Sequence, residues 1–436
     1  MAEKIRIVLP QKYDLVVGDT FQLYYRGVIE CPNPYVYSIV SICEKGRNFP
    51  RYFEYAPTEP GQHKLTIKVY DARRNLLGEA ETMLNVVAPK EPKKTTKILC
   101  IGDSLTGGGW PYEAYRRVTQ EGGEPAGLGF ENAVKFIGSR TRPDKYPGIA
   151  MEGRSGFGWD CFLGNLPDTL IVECPNRRPA EDINSLWQDI NGNLWKLTYL
   201  KIDYPKFVRY NNPDAPYPEH GPLTHYAGAK DTSPIEFNNI LIDKEGTPFM
   251  NPETGEIDFL DYCRRNNVET PDVAYIFLGS NGLMSVEANT HTREEYCQRL
   301  VNKGKWMIGR MKEAFPDLQV KLMGLPMWSV NGGIGHSFGA ILPLTDLYEL
   351  IHYKMELNKA YQAWCLEDGY RDFMEFVDIS GQFDCENNFP CKEKPVNTRS
   401  TVMERIDTDA CHPSAEGYKQ IGDAVYRNIV ASFCSE

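Results

Sequence analysis

The chain has 436 residues, more than one compact core ordinarily holds, so two or three structural units are expected. Hydrophobic residues make up 42% of the sequence and charged residues 25%, a balance that excludes wholesale disorder. The net charge of −11 argues against a nucleic-acid partner and against an anionic membrane surface, since both favour basic patches.

The first 90 residues predict an all-β unit. Residues 63–70 alternate apolar and polar side chains, as a half-buried strand does. Similar strands are predicted at 5–9, 21–25, 35–42 and 82–87. Short strands separated by turn-forming residues predict an immunoglobulin-like β-sandwich over residues 1–90. The proline- and lysine-rich stretch that follows predicts a linker at 91–97.

Residues 98–436 have the sequence pattern of an α/β unit. Strands are predicted at 97–101, 272–278 and 320–325, and helices at 112–119, 293–315, 345–365 and 416–433. Strands that alternate with helices predict a parallel sheet covered by helices on both faces.

The stretch 163–251 does not follow this alternation. It is rich in Asn, Pro, Tyr and Trp and shows little periodicity, so it predicts a large insertion that acts as a lid or a binding surface. Its aromatic side chains could stack on sugar rings, with Asn211 and Asn212 adding hydrogen bonds. Aromatic residues in so large an insertion more often form a small core of their own. The residues concerned are Trp187, Trp195, Tyr199, Tyr204, Tyr210 and Tyr226.

Two motifs at opposite ends of the α/β unit carry residues suited to nucleophilic catalysis. Ser104 lies on a glycine turn just after the strand predicted at 97–101, where open α/β sheets place functional groups. Asp409 precedes His412 by three residues, a spacing that brings a carboxylate within reach of an imidazole. Each motif alone is equally compatible with helix capping.

Two further motifs carry possible hydrogen-bond donors. Asn281 follows the strand predicted at 272–278, where its amide could donate to a developing oxyanion. Gly153 lies in a glycine turn whose backbone N–H could do the same. An Asn-Gly pair after a strand is otherwise an ordinary turn.

Taken together, these motifs resemble the four sequence blocks of the SGNH (GDSL) hydrolase family, which carry Ser, Gly, Asn and His in that order. Gly102-Asp-Ser-Leu105 matches the first block, Gly153-Arg-Ser155 the second, Gly279-Ser-Asn281 the third and Asp409-Ala-Cys-His-Pro413 the fourth. The resemblance covers about residues 97–433. It implies a three-layer α/β/α flavodoxin-like fold.

The resemblance also implies roles for these residues. Ser104 would be the nucleophile, His412 the base and Asp409 the group that orients it. The N–H groups of Ser104 and Gly153 and the side chain of Asn281 would form the oxyanion hole. Gly282 replaces the Asp that commonly follows the Asn of the third block, which puts the local support of Asn281 in doubt.

The implied reaction is hydrolysis of a carboxylic ester through an acyl-enzyme, with no metal and no cofactor. A β-sandwich ahead of such a domain resembles carbohydrate-active esterases, so a carbohydrate O-acetylesterase acting on a small-molecule or oligosaccharide ester is favoured. Trp110, Trp328 and His336 are candidate substrate contacts. A lipase or lysophospholipase and a non-catalytic carbohydrate-binding protein are the alternatives.

Location and cysteine use are less constrained by the sequence. No apolar run approaches the ~20 residues that a membrane-spanning helix needs, and no signal peptide is evident. A cytoplasmic protein is expected, or a secreted one if a leader has been removed; no membrane partner is expected, and the oligomeric state is open. The twelve cysteines lack metal-site spacing and predict mostly free thiols, with Cys385 and Cys391 the pair best suited to a disulfide.

Overall fold

A computed structural model of the chain describes residues 4–163, 169–172, 178–199, 205–212, 215–237, 247–283, 292–337 and 347–435. Two compact units emerge. The larger comprises Met1–Trp159, Phe259–Ser337 and Asp346–Glu436, and the smaller comprises Asp160–Asp258 and Phe338–Thr345. The N-terminal β-rich segment and the α/β segment therefore belong to one unit.

The N-terminal segment forms two small sheets that share a core. Its elements are β1 (Lys12–Val16), β2 (Phe21–Tyr24), α1 (Tyr25–Val28), β3 (Ser38–Ile42), β4 (Arg47–Asn48), β5 (Tyr52–Tyr55), β6 (Gly61–Tyr70) and β7 (Leu76–Val87). The strands join in the orders β1-β7-β6-β3 and β2-β5-β4. Apolar side chains such as Leu15, Leu65 and Leu84 are fully buried between them. The predicted immunoglobulin-like sandwich, its linker and the boundary at residue 90 stay predictions.

The strand predicted at 5–9 is wrong. The segment makes only an isolated bridge between Ile7 and Ile29. Its backbone bonds go to two different segments, from Ile5 N to Leu77 O and from Val8 N to Val28 O, so no continuous ladder forms.

The α/β segment begins with a buried strand at the centre of its sheet. Its first elements are β8 (Thr96–Gly102), α2 (Ser104–Gly107), α3 (Trp110–Thr119), β9 (Glu121–Gly122), β10 (Gly127–Leu128), β11 (Val134–Ile137), β12 (Arg140–Arg142) and β13 (Tyr146–Gly153). Both β11 and β13 pair in parallel with the same edge of β8.

The smaller unit has strands where the sequence showed no periodicity. Its elements are α4 (Trp159–Phe162, which begins at the last residue of the larger unit), β14 (Thr169–Ile171), β15 (Leu186–Gln188), β16 (Leu194–Tyr199), β17 (Lys206–Arg209) and β18 (Thr224–Ala227). The strands form an antiparallel sheet in the order β14-β17-β16-β15-β18. Trp187 and Trp195 face each other across β15 and β16 and are fully buried, so these two indoles build the core. Tyr210 and Tyr226 are exposed, whereas Tyr204 and the side chain of Tyr199 lie outside the described residues.

The chain then returns to complete the larger unit. Its remaining elements are α5 (Phe259–Asn266), β19 (Val273–Phe277), α6 (Ser280–Leu283), α7 (Arg293–Ala314), β20 (Gln319–Met323), α8 (Gly333–Ser337), α9 (Leu347–Leu366), β21 (Met374–Val377), β22 (Cys391–Pro395), β23 (Met403–Asp407) and α10 (Ala415–Phe433). Helix α3 packs on α10, and α7 packs on α9. The predicted mixed α/β fold is confirmed, while the three-layer arrangement stays a prediction.

The sheet order creates a topological switch point beside β8. The parallel strands run β13-β8-β19-β20-β21, so the chain leaves β8 on one side and later returns on the other. Loops that follow strands on both sides of a switch point open a crevice at the carboxyl edge, where ligands bind in open α/β sheets. Ser104, Gly153 and Asn281 all lie at this edge.

Two sequence expectations can be compared with the described residues. Within them, no helix combines the length and apolarity required to cross a membrane. The described cysteines are free thiols. The pairing considered for Cys385 and Cys391 is wrong, because Cys385 is buried in the core while Cys391 is exposed at the start of β22.

Candidate active site

Ser104 is the first residue of α2, immediately beyond the carboxyl end of β8. The helix starts here because Asp103 caps it, with Asp103 Oδ1 accepting a hydrogen bond from Leu105 N at 2.8 Å. Ser104 is half-buried at the carboxyl edge of the sheet.

The structure brings Ser104 together with the histidine predicted to serve it. Ser104 Oγ lies 2.9 Å from His412 Nε2, although the two residues are 308 positions apart in the chain. His412 Nδ1 lies 3.2 Å from Asp409 Oδ2. When the ring is neutral, the Nδ1 atom donates to the carboxylate and the lone pair of Nε2 faces the serine hydroxyl. This is the geometry of a nucleophile, a base and a group that orients the base.

Backbone contacts fix Asp409 in this arrangement. Its Oδ1 atom accepts hydrogen bonds from the backbone N–H groups of Cys411 and His412, each at 2.9 Å. Beyond the loop, Ser414 caps α10 by accepting a hydrogen bond from Gly417 N at 3.2 Å. Asp409–His412 thus form a turn in which backbone N–H groups bond to the Asp409 carboxylate. The start of α10 anchors the end of this turn.

The pair is electrostatically coupled. The hydrogen bond to Asp409, followed by that to Cys411, raises the pKa of His412 from 6.5 to about 10, against burial, which lowers it. Burial alone would raise the pKa of Asp409, but hydrogen bonds from the side chain and backbone of His412 lower it to about 2. Asp409 is therefore ionised at neutral pH and stabilises the imidazolium.

Asn281 reaches the same site from α6, the short helix that follows β19. Its Nδ2 atom donates to Asp103 Oδ2 and to Phe157 O, both at 3.0 Å. Both of its N–H groups thus have protein acceptors in this structure. Burial raises the pKa of Asp103 to about 6. The partnership between Asp103 and Asn281 was not predicted, although Asp103 is part of the first sequence block.

Gly153 ends β13 directly opposite Gly102 of β8. A Cβ atom on Gly153 would lie 2.5 Å from the backbone nitrogen of Gly107, so any side chain would collide with α2. The glycine allows the second block to approach the nucleophile's turn closely. It places the Gly153 backbone beside that turn, as the oxyanion-hole prediction requires.

The segment after β20 braces the loop that carries Asp409 and His412, a feature that the sequence did not predict. Ser329 N donates to Ala410 O at 2.9 Å, and Ala410 N donates to Ser337 Oγ at 3.0 Å. Gly333 is packed so closely that an added Cβ would clash with the Asp409 carbonyl oxygen. His336, a predicted substrate contact, is exposed in α8 between these anchors.

The two tryptophans predicted to contact substrate are buried. Trp110 packs edge-on against Phe277, with the ring centroids 6.3 Å apart. Trp328 lies under the ammonium of Lys354, which is 5.0 Å from the ring centroid. Burial lowers the pKa of Lys354 to about 7, and its Nζ donates to Pro326 O at 2.8 Å. Direct contact of either indole with a substrate would need a local rearrangement.

Cys411 is a second neighbour of the His412 imidazole that sequence reasoning did not single out. Its Sγ atom lies 3.5 Å from His412 Nδ1. In the part of the chain that the structure describes, Asp409, Cys411 and His412 are the group whose donor atoms are spaced to hold a metal ion. In the sequence, the position of Cys411 directly before His412 is the one feature that could have indicated this contact.

Comparisons with known proteins add little at the level of sequence. No protein-family model matches the chain, and no curated protein matches it. Solved structures that resemble it include a carbohydrate esterase family 3 protein from Talaromyces cellulolyticus (12% identity, TM-score 0.36, covering 78% of this chain and 98% of that one). A peptidoglycan O-acetylesterase (12%, 0.30, 78% and 92%) and a family two carbohydrate esterase from Cellvibrio japonicus (12%, 0.27, 98% and 95%) also resemble it. TM-scores this low do not indicate a shared function. The function of this chain has to be inferred from the residues of the site.

Proposed function

We propose that the chain is a serine esterase that hydrolyses small acyl esters, above all acetyl esters of carbohydrates, on a three-layer SGNH-type scaffold preceded by an immunoglobulin-like sandwich. The observation that carries the proposal is the continuous chain of contacts from Ser104 Oγ to His412 Nε2 and from His412 Nδ1 to Asp409 Oδ2. These groups converge at the carboxyl edge of a parallel sheet, beside a switch point.

The contacts support an acyl-transfer mechanism. Ser104 Oγ attacks the ester carbonyl while His412 Nε2 takes the serine proton. The ionised Asp409 stabilises the resulting imidazolium without itself being protonated. His412 then gives the proton to the departing alcohol, and in the second half-reaction takes one from the water that hydrolyses the acyl-enzyme.

The developing oxyanion would be stabilised by the backbone N–H groups of Ser104 and Gly153 and by the Asn281 amide. Because Asn281 donates to Asp103 and Phe157 O in the free enzyme, it would exchange its bond to Phe157 O for one to the oxyanion. Catalytic hydrogen bonds of this kind often form fully only with substrate bound. A hydrogen bond to an anionic oxygen is stronger than one to a neutral carbonyl, so this exchange would favour the transition state.

Among the three proposed substrate contacts, His336 is the one that a substrate can reach without rearrangement, because it is exposed and its loop braces the catalytic loop. Trp110 and Trp328, which are buried, would support the site by packing and would not contact the substrate directly. No cofactor is needed for this chemistry, since the nucleophile, base and oxyanion donors are all protein groups.

The direct test compares hydrolysis of p-nitrophenyl acetate and p-nitrophenyl palmitate. The wild type should prefer acetate, and Ser104→Ala should lose roughly 10³-fold or more in kcat, since loss of the nucleophile removes the acyl-enzyme route. Ser38→Ala, a change at an exposed serine of β3, is the matched control and should keep the wild-type rate.

Other outcomes would overturn the proposal. A wild type inactive on both esters, or a Ser104→Ala variant with full rate, would exclude the serine mechanism. Preference for palmitate would favour the lipase alternative. Acetate release from a panel of acetylated oligosaccharides then tests the carbohydrate assignment, which fails if simple alkyl acetates are cleaved equally well.

A further inference from the structure

The catalytic imidazole has two potential metal ligands on the side away from the nucleophile. His412 Nδ1 lies 3.2 Å from Asp409 Oδ2 and 3.5 Å from Cys411 Sγ. The three donor atoms all lie within 4.8 Å of one another. Ester hydrolysis by Ser104 and His412 requires no sulfur at this position.

These distances match the edges of a zinc tetrahedron. With Zn–N of 2.0–2.1 Å and Zn–S of 2.3 Å, tetrahedral geometry places nitrogen and sulfur about 3.5 Å apart. For nitrogen and a carboxylate oxygen the corresponding separation is about 3.3 Å. Both agree with the observed contacts, so two of the three ligand-to-ligand separations are already those of a zinc site, and the Asp409–Cys411 pair lies within 4.8 Å.

The chemistry of the donors selects the kind of cation. A thiolate and an imidazole favour Zn²⁺ and similar soft or borderline ions, whereas Mg²⁺ and Ca²⁺ prefer sets made of oxygen donors. Three protein ligands would leave a fourth position for water, the pattern of an open zinc site.

The loop is already ordered for such a role. Asp409 Oδ1 accepts from the backbone of Cys411 and His412, and Ala410 is held on both sides by the loop after β20. The side chains of His412 and Asp409 are 32% and 33% exposed, so a hydrated ion has access to them. A preformed, accessible set of ligands lowers the cost of ordering the site on binding.

We propose that Asp409, Cys411 and His412 form a binding site for Zn²⁺ and related thiophilic divalent cations, and that occupation of this site switches the esterase off. The inhibition, though not the metal binding, rests on the function proposed above.

The off state follows from a proton balance on the imidazole. The cation bonds to Cys411 Sγ, whose proton goes to solvent, and to the lone pair of His412 Nδ1. A ring that starts neutral keeps one proton, which moves from Nδ1 to Nε2. A ring that starts as imidazolium releases its Nδ1 proton and keeps the one on Nε2. In both cases Nε2 becomes a donor toward Ser104 and can no longer accept the serine proton.

The inhibition test uses p-nitrophenyl acetate with buffered free Zn²⁺, and each variant is compared with its own zinc-free rate. Wild type should be inhibited and recover on addition of a chelator. Cys411→Ala should need at least about tenfold more zinc, because one of three protein ligands is gone. Cys391→Ala, which removes an exposed free thiol elsewhere, should keep the wild-type sensitivity. Equal inhibition of wild type and Cys411→Ala would overturn the proposal.

A binding measurement separates this inference from the proposed esterase activity. Co²⁺ should give a thiolate-to-cobalt absorption band and the intense visible bands of a tetrahedral site in wild type and equally in Ser104→Ala, which keeps all three ligands. The bands should be lost in Cys411→Ala and kept in Cys391→Ala. Cobalt bands in a wild type without esterase activity would refute the proposed function and leave the metal site standing. Esterase activity without the cobalt bands would refute the metal site alone.

Discussion

At the scale of single residues, the most informative group is His412. Its Nδ1 atom faces Asp409, its Nε2 atom faces Ser104, and the hydrogen bond to Asp409 is the largest cause of its raised pKa. A base must be neutral to accept a proton, so raising the pKa of His412 makes it a stronger base but moves its working range to higher pH. Activity should therefore rise with pH beyond the range where an ordinary histidine, with a pKa of 6.5, is fully neutral.

Replacing the orienting carboxylate should change both the rate and its pH dependence. In Asp409→Asn the imidazolium loses the charge that stabilises it, so the pKa of His412 falls and the acidic limb of the kcat profile moves to lower pH. At the same time kcat should fall roughly 10²- to 10⁴-fold, with KM nearly unchanged, since the lost interaction is strongest in the transition state. Steady-state rates measured from acid to alkaline pH check both effects.

A surface carboxylate provides the control for this experiment. Asp144 is exposed, and Asp144→Asn should leave the rate and the pH profile as in wild type. An Asp409→Asn enzyme whose acidic limb stays in place, or whose defect lies in KM alone, would contradict the assigned role of the carboxylate.

The residue scale also shows the limits of motif reasoning. The grouping of Ser104, Asp409 and His412 could be predicted because the proposed acyl transfer requires these residue types and the structure brings them together. The contact of Asn281 with Asp103 and that of Cys411 with His412 depend on side-chain directions after folding, which a spacing in the sequence does not determine.

At the scale of elements, the loop that carries Asp409 and His412 is held by residues 329–337, which follow β20 and include α8. The clamp on Ala410 uses one backbone bond and one side-chain bond, from Ser329 and Ser337. Gly333, at the start of α8, lies between this clamp and Asp409, where there is no room for a side chain. The position of the histidine loop is therefore set by a neighbouring loop that carries none of the four motif residues.

Filling that space should impair catalysis. In Gly333→Ala the new methyl group would collide with the Asp409 carbonyl and lie 2.6 Å from Ser329 Oγ, so the loop must shift. A displacement on the order of 1 Å can cost about 10²-fold in rate, and kcat for p-nitrophenyl acetate should fall by about that factor. Circular dichroism and thermal unfolding measured alongside should show a protein that is still folded at the assay temperature.

Gly309→Ala is the matched control because the same methyl group there meets no atom within 4 Å. Gly309 lies within helix α7, where alanine is the better helix former, so stability should stay equal or rise by up to about 1 kcal/mol. Equal activity of the two variants would show that the bracing loop does not position Asp409.

Elements with a strong pattern could be predicted from the sequence, and short ones could not. Helices α7 and α10 begin and end within one residue of the predicted bounds, because their apolar periodicity extends over many turns and each begins at a capping residue. The strands of the smaller unit have three to six residues, too few to establish alternation. The pairing of Trp187 with Trp195 that organises them is a cross-strand contact and leaves no periodic trace.

At the scale of the whole larger unit, buried polar contacts join the N-terminal sheets to the α/β segment. Asp19 Oδ1 lies 3.0 Å from Arg117 Nη2 of α3, and Asp19 Oδ2 lies 2.6 Å from Arg427 Nε of α10. Tyr13 OH donates to Asp378 Oδ2 at 2.5 Å in the same interface. This network could not be predicted from the sequence, because its members are separated by about a hundred to several hundred positions in the chain. Residues predicted to form a separate sandwich are thus packed on the α/β segment through buried, paired charges.

Removing the charge at the centre of this network should weaken the whole unit. Burial alone would raise the pKa of Asp19, but Arg427 and Arg117 lower it below 3.8, so its ionised form stabilises the fold above that pH and the contribution disappears as the pH falls through the lowered pKa. Asp19→Asn takes the carboxylate from Arg427 and leaves Arg117 paired with Asp423 alone, and the free energy of unfolding in urea at pH 7 should fall by about 3 kcal/mol. Glu81→Gln, which breaks an exposed pair with Lys64, is the control, and its effect on the free energy of unfolding should be small because solvent screens exposed ion pairs. A loss for Asp19→Asn no larger than the control's, or one that persists undiminished in strong acid, would show that this buried network does not hold the N-terminal sheets to the α/β segment.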